Sequence, residues 1–364
     1  MGNSVRSNAG ERGTDLSGDQ DSISTRMHKI APSTGNRITM SDVAAAAGVS
    51  KITVSRALRG SALVKPAVRE KIQATAAALG YRMNLAARDL RLRQRMRIAV
   101  VVDMAASDER PLFDPYPLAL LGGIMHECAA AGFAAVLTTN DPRMHAEAQD
   151  ASGIIVLGQG AHHEAVRRLA ALNLPLVVWG ANDGVEAGMG VAVVGSDNRQ
   201  GGALAADYLL DRGRRSLAFL GDTNHAEMAE RAAGFGDRLR RNGVEVAAAR
   251  NCDFTSEGGR RAMADILAQG IRIDGVFAGS DLVAIGAMQA LREAGHRVGA
   301  EVSVVGYDDM PVAAASAPPL TTIRQDWTRA GRLLAETLFA QLDAQRASPP
   351  RPQLLPVSLI VRET

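Results

Sequence analysis

From residue 98 onward the chain alternates short apolar runs with amphipathic stretches, and that alternation leaves few folds open. The runs are IAVVVDM from Ile98, FAAVLTT from Phe133, GIIVLG from Gly153, LPLVVWG from Leu174, VAVVGSD from Val191, SLAFLGD from Ser216, IDGVFAGS from Ile273 and VSVVGYDD from Val302. Helical periodicity falls between them, at 118–131, 200–212, 225–242, 256–269, 282–294 and 328–347. Continuously apolar strands separated by amphipathic helices imply a parallel sheet covered on both faces. About eight such strands suit two doubly wound lobes better than one.

The first hundred residues read differently. Residues 1–37 are rich in Gly, Ser, Asn and Asp, without apolar periodicity, and are expected to be a disordered tail. Residues 38–83 predict three short helices. Val43, Ala44 and Ala47 share one helical face, Gly48 supplies a tight turn, and Ser50 caps a second helix that carries Val54, Ala57 and Leu58 inward. Pro66 opens a third helix with Val68, Ile72, Ala76 and Leu79 inside, ended by Gly80. Residues 84–97 then form a hinge and linker: Asn84 caps Leu85, Ala86, Ala87 and Leu90 before an Arg-rich run. That segment is too short to be helical alone in water and is expected to order on a partner. Residues 98–364 make up the core.

Charge divides the chain along the same line. Residues 38–97 carry twelve Lys or Arg against three acids, a net of +9, whereas the whole chain is +2 and residues 98–364 sum to −8. A basic head on an acidic body implies that only the head meets a polyanion. A helix starting at Ser50 exposes Lys51, Ile52, Ser55 and Arg56. In a helix-turn-helix the first residues of the second helix reach base edges in the major groove. Lys and Arg donate to guanine there, and Ile can touch a thymine methyl. Thr39, Ser50, Thr53, Arg59 and Lys65 suit phosphate contacts, which position the head without reading sequence.

The string TMSDVAAAAGVSKITVSRAL from Thr39, with LGYRMN from Leu79, closely resembles the N-terminal head of the lactose-repressor/galactose-repressor (LacI/GalR) family. The resemblance implies that the segment from Asn84 is a hinge helix that folds on operator DNA. Leu90 falls at the position of a leucine wedged into the minor groove, with Ala87 on the same face; such a wedge kinks the duplex. Two departures stand out. Residues 91–95 are more basic than the family's usual turn, and Lys65 replaces a small hydroxyl cap.

Weaker motifs extend the resemblance through the core: GSDNRQGG from Gly195, RAAGF from Arg231, DGVFAGSD from Asp274, VVGYDD from Val304 and LTTIRQD from Leu320. They imply the two-lobed α/β fold of periplasmic sugar-binding proteins, with a small polar ligand held between lobes at the strand ends. Carried over residue by residue, Arg231 becomes a clamp on ligand hydroxyls or a carboxylate, and Asp308 and Gln325 become hydroxyl partners. Ser280 stands where many members have Asn. Phe113, Asp114 and Tyr116 fall in the loop after the first strand, where the family places aromatic ligand contacts. Asp281 and Asp309 are read as braces of helix N-termini. Residues 140–152 are shorter than the family's usual helix, so one covering helix of the first lobe is expected to be missing.

These features together imply a cytoplasmic, homodimeric, sequence-specific repressor of transcription. Its heads would bind a palindromic operator, and a sugar or sugar acid would control it allosterically. An exported or purely sugar-binding protein shares the core but has no need of the head. A dehydrogenase is disfavoured because no strand leads into a full dinucleotide-binding glycine motif; Gly158 and Gly160 follow a strand, but the pattern stops there. No catalytic residues, cofactor or metal are expected. The adjacent His162 and His163 are read as diverging surface residues of a helix. With Cys128 and Cys252 alone, no disulfide framework is implied. No window reaches the ~18 apolar residues of a membrane span, and no signal peptide is evident.

Overall fold

The computed structural model describes residues 38–58, 63–81, 96–102, 115–139, 148–343 and 351–364. The chain divides into two compact units, one ending at Arg88 and the other beginning at Asp89.

The first unit contains α1 (Met40–Ala47), α2 (Lys51–Leu58) and α3 (Pro66–Ala78). Thr39 and Asp42 open α1 with a reciprocal cap: the Thr39 N–H donates to Asp42 Oδ2 at 2.7 Å while Thr39 Oγ1 accepts from the Asp42 N–H. Gly48 closes α1 at a φ of 68°, which glycine adopts without strain. Ser50 Oγ then accepts the Thr53 N–H at 3.1 Å, capping α2. Val43, Ala47, Val54, Ala57, Val64, Ile72 and Ala76 form the buried centre of the three helices.

The second unit holds two six-stranded sheets. The first lobe comprises β1 (Arg97–Val102), α4 (Pro115–Ala130), β2 (Ala134–Thr139), β3 (Gly153–Leu157), α5 (Glu164–Ala170), β4 (Leu176–Trp179), α6 (Val185–Gly188) and β5 (Ala192–Ser196). The second follows with α7 (Asn198–Asp211), β6 (Leu217–Leu220), α8 (Ala226–Arg241), β7 (Val246–Arg250), α9 (Ser256–Ala268), β8 (Gly275–Ala278), α10 (Asp281–Glu293), β9 (Ser303–Asp308), α11 (Pro311–Ala315) and β10 (Thr321–Arg324). The chain then returns: α12 (Trp327–Asp343) packs Ala330, Leu333, Leu334 and Leu338 into the first lobe's core, and β11 (Gln353–Leu355) pairs with β5. β12 (Ser358–Ile360) crosses once more, antiparallel to β10. All other strand pairs are parallel, in the orders β11-β5-β4-β3-β1-β2 and β12-β10-β9-β8-β6-β7.

The eight apolar runs are all strands. Four further strands, β7 and β10 to β12, add to them. The lobes are therefore joined by three crossings of the chain rather than one, which fixes the carboxyl ends of both sheets next to the same connecting segments. Of the shortened stretch, residues 140–147 lie outside the described residues; Ala148 and Ala151 are buried in the first lobe. Among the described residues, no helix is long and apolar enough to cross a membrane.

Candidate functional site

On α2, burial alternates as a helix docked on one side requires. Val54 and Ala57 are buried, whereas Lys51, Ile52 and Arg56 are exposed, Ile52 at 64%. A large apolar side chain left in water beside two cations, on a helix without an acid, suits an apolar contact on a polyanion. Thr53 and Ser55 are half-buried beside them; Ser50 and Thr39 are exposed, and their hydroxyls also serve the caps described above. Lys65 precedes Pro66 and makes no side-chain capping bond to α3. Arg59, Asn84, Ala87 and Leu90 lie outside the described residues.

In the second unit, four sequence-predicted residues gather at the carboxyl end of the second sheet. Asp308 is the last residue of β9, Ser280 follows β8 and Gln325 follows β10, three adjacent strands. Gln325 Nε2 donates to Asp308 Oδ1 at 2.7 Å; Gln325 is 4% exposed, and its Oε1 is buried with no hydrogen-bond partner among the described residues. Arg231, on α8, is 6% exposed and rigidly held. Its Nε donates to Asn198 Oδ1 at 2.9 Å, its Nη1 to the Gly279 carbonyl at 2.6 Å, and its guanidinium lies 3.7 Å from the centre of the Tyr307 ring. Burial pushes the Tyr307 phenol well above its ordinary range. Ser280 also has a local duty: its Oγ caps α10, accepting the Val283 N–H at 3.3 Å.

Asp281 bears out its bracing role. Its Oδ2 accepts the Met310 N–H at 2.8 Å just before α11, and its Oδ1 accepts from Thr322 Oγ1 at 2.5 Å. Burial, then the Asp308 charge, hold its carboxyl well above the usual range. Asp309 does otherwise: it pairs with Arg324 at the end of β10 and with Arg362 in the C-terminal segment, each at 2.6 Å, from a left-handed backbone with a φ of 52°.

Phe113 and Asp114 lie outside the described residues. Tyr116 is in the first turn of α4, not in a loop, with its ring 5.8 Å from Trp327. Trp327 was not foreseen as part of the site. Its Nε1 donates to the Asp308 carbonyl at 3.0 Å, and its ring lies 5.7 Å from Trp179, at the end of β4. The chain's two tryptophans thus meet in the first lobe, and Trp327 carries the contact to Asp308. Their scarcity was the one signal available in the sequence. Gln325, Trp327 and Pro356 also line a pocket of about 390 Å³ where two of the crossings run together.

His163, expected at the surface, is 8% exposed. It sits in a turn where His162 and His163 are both left-handed rather than helical, which swings its ring inward between Asp183 and Glu186.

Comparison with known proteins covers both units. Residues 39–84 match the family of bacterial regulatory proteins, lacI family, and residues 206–364 match a periplasmic binding protein-like domain. The HTH-type transcriptional regulator CelR of Thermobifida fusca is 32% identical over 90% of this chain and 98% of its own length. The lactose operon repressor of Escherichia coli strain K12 is 31% identical, over 90% of each chain. Among solved structures, a lac repressor dimer bound to operator and the anti-inducer ONPF matches with a TM-score of 0.78 at 29% identity, over 90% of this chain and 99% of that one. A CelR–cellobiose complex matches with a TM-score of 0.68 at 31% identity, again over 90% and 99%.

Proposed function

The chain belongs to the lacI family of bacterial regulatory proteins, and from that premise we propose that it is a sequence-specific transcriptional repressor whose operator affinity is set by a small sugar or sugar acid. The observation that carries the reading is the exposed face of α2, where Lys51, Ile52 and Arg56 stand in water opposite a buried Val54 and Ala57. Among the described residues such a face stands open, and it has the donors and the apolar contact that base edges accept.

The second half of the proposal rests on Asp308 and Gln325 with the aromatic wall of Trp327, Trp179 and Tyr116. Acceptors paired with donors bind sugar hydroxyls, and flat rings cover the apolar face of a pyranose. Arg231 adds a fixed positive charge for a sugar acid. A ligand that binds one arrangement of the lobes better than another shifts their balance by that difference in affinity. We place the coupling to the head in residues 84–97, and read the protein as a cytoplasmic homodimer without catalytic activity, whose two heads engage two half-sites.

The test is selection of binding sites from random duplex DNA by the full-length protein. The reading expects one palindromic sequence to be enriched, with half-sites about one helical turn apart. Enrichment of no sequence above background would overturn it.

A further inference from the structure

One side-chain group in the first lobe has no part in this function. His163 Nδ1 lies 2.6 Å from Glu186 Oε1, and its Nε2 lies 2.9 Å from Asp183 Oδ2. These residues stand on the segments that leave the carboxyl ends of β3 and β4, adjacent parallel strands, which is where ligands gather on such sheets. Gln159 holds the arrangement in place. Its Nε2 donates to Glu186 Oε1 at 2.7 Å and to the Ala181 carbonyl at 2.9 Å, while its Oε1 accepts the Ala181 N–H at 2.7 Å. A Cβ at Gly180 would overlap the Gln159 amide, so glycine keeps that seat open. The backbone is bent to the same end, with φ of 55° at His162 and 58° at His163, values that cost any residue but glycine.

Glu186 supplies an independent observation. Its side chain is fully buried, yet Oε2 has no hydrogen-bond partner among the described residues. Buried carboxyl oxygens are normally paired with donors or bound to cations. The ligand atoms of His163, Asp183 and Glu186 all lie within 4.8 Å of one another. One imidazole with two carboxyls favours a borderline divalent ion such as zinc over calcium or magnesium, which take oxygen ligands alone. The Asp183 side chain is 34% exposed and leaves a path for entry.

We propose that His163, Asp183 and Glu186 form a site for one divalent transition-metal ion of the zinc class on the first lobe. Full-length protein stripped by a chelator is expected to bind about one equivalent of Zn²⁺ and to melt higher with it, and Mg²⁺ is expected to give no shift. Asp183→Asn changes a half-exposed side chain and is expected to fold normally, as its metal-free melting temperature will report. It and Glu186→Gln are each expected to weaken Zn²⁺ binding roughly tenfold or more. Zn²⁺ binding that is absent from the wild-type protein, or unchanged in Asp183→Asn, would overturn the assignment.

Discussion

Arg56 and Lys51 are the cations of α2, and both stand exposed on its outer face. Arg56→Ala is expected to cost about 1–3 kcal/mol of affinity for the selected operator and to relax preference at one base pair, with the melting temperature unchanged. Quantitative binding to the operator and to single-base variants of it checks this. At the ligand cluster, Trp327→Ala should weaken sugar binding by roughly tenfold, about 1.4 kcal/mol, while Trp327→Phe retains most of it, as calorimetry can measure. Asp281 gives a pH dependence. Its carboxyl is held well above the usual range when folded, so the native state binds a proton that the unfolded chain releases near pH 4. Stability from this group is therefore full below about pH 4 and falls as pH rises through the folded-state pKa. Asp281→Asn should flatten that fall in a series of urea melts. Of these residues, the recognition face was legible because a helix-turn-helix places its exposed positions by spacing alone. Trp327 and the inward turn of His163 were not, since both depend on where the chain crosses or bends between elements.

Three helix pairs in the core meet through glycines, and each pair repeats the same device. A Cβ at Gly202 on α7 would overlap the Arg231 carbonyl on α8, and one at Gly234 on α8 would overlap the Arg199 carbonyl on α7. Gly259 and Gly286 bring α9 against α10, and Gly123 and Gly331 bring α4 against α12 in the same manner. Gly286→Ala is expected to destabilise the core by about 1–3 kcal/mol, because backbone on both sides must move; thermal melting reads it. In the sequence, a glycine inside a helical pattern only lowers the expectation of a helix. Its use as a contact appears once the partner helix is known. The strands divide likewise. The eight apolar runs announced themselves, but β7 is half-exposed with the sequence VAAAR, and β10 buries Thr321 and Thr322. Those threonines are tolerated inside because Thr321 Oγ1 accepts the Arg362 N–H and Thr322 Oγ1 donates to Asp281. Neither partner is visible from local pattern. β11 and β12 are three residues each, too short for periodicity to register.

Across the whole molecule, charge and function part company in the way the sequence foretold: +9 on residues 38–97 against −8 on residues 98–364. Neutralising phosphates releases counterions, so operator affinity should fall steeply with salt, on the order of 10³-fold between roughly 50 and 200 mM, while sugar binding by the acidic core should hardly change. Fluorescence anisotropy of labelled operator, beside calorimetry of the sugar, separates the two. The family was legible over the head because its motif is ungapped, and over the core because the strand-end motifs survive in order. The ligand's identity was not, since hydroxyl-binding groups such as Asp308 and Gln325 are common to many sugars. The central claim is that a sugar bound by the core changes what the head does on DNA. The direct measurement is operator affinity with and without the sugar that most raises the melting temperature, for the wild-type chain and for Asp308→Ala. The account predicts a shift of roughly 5- to 150-fold in the wild type and none in the variant, which still binds operator. An operator affinity unmoved by a sugar that the core binds would contradict it.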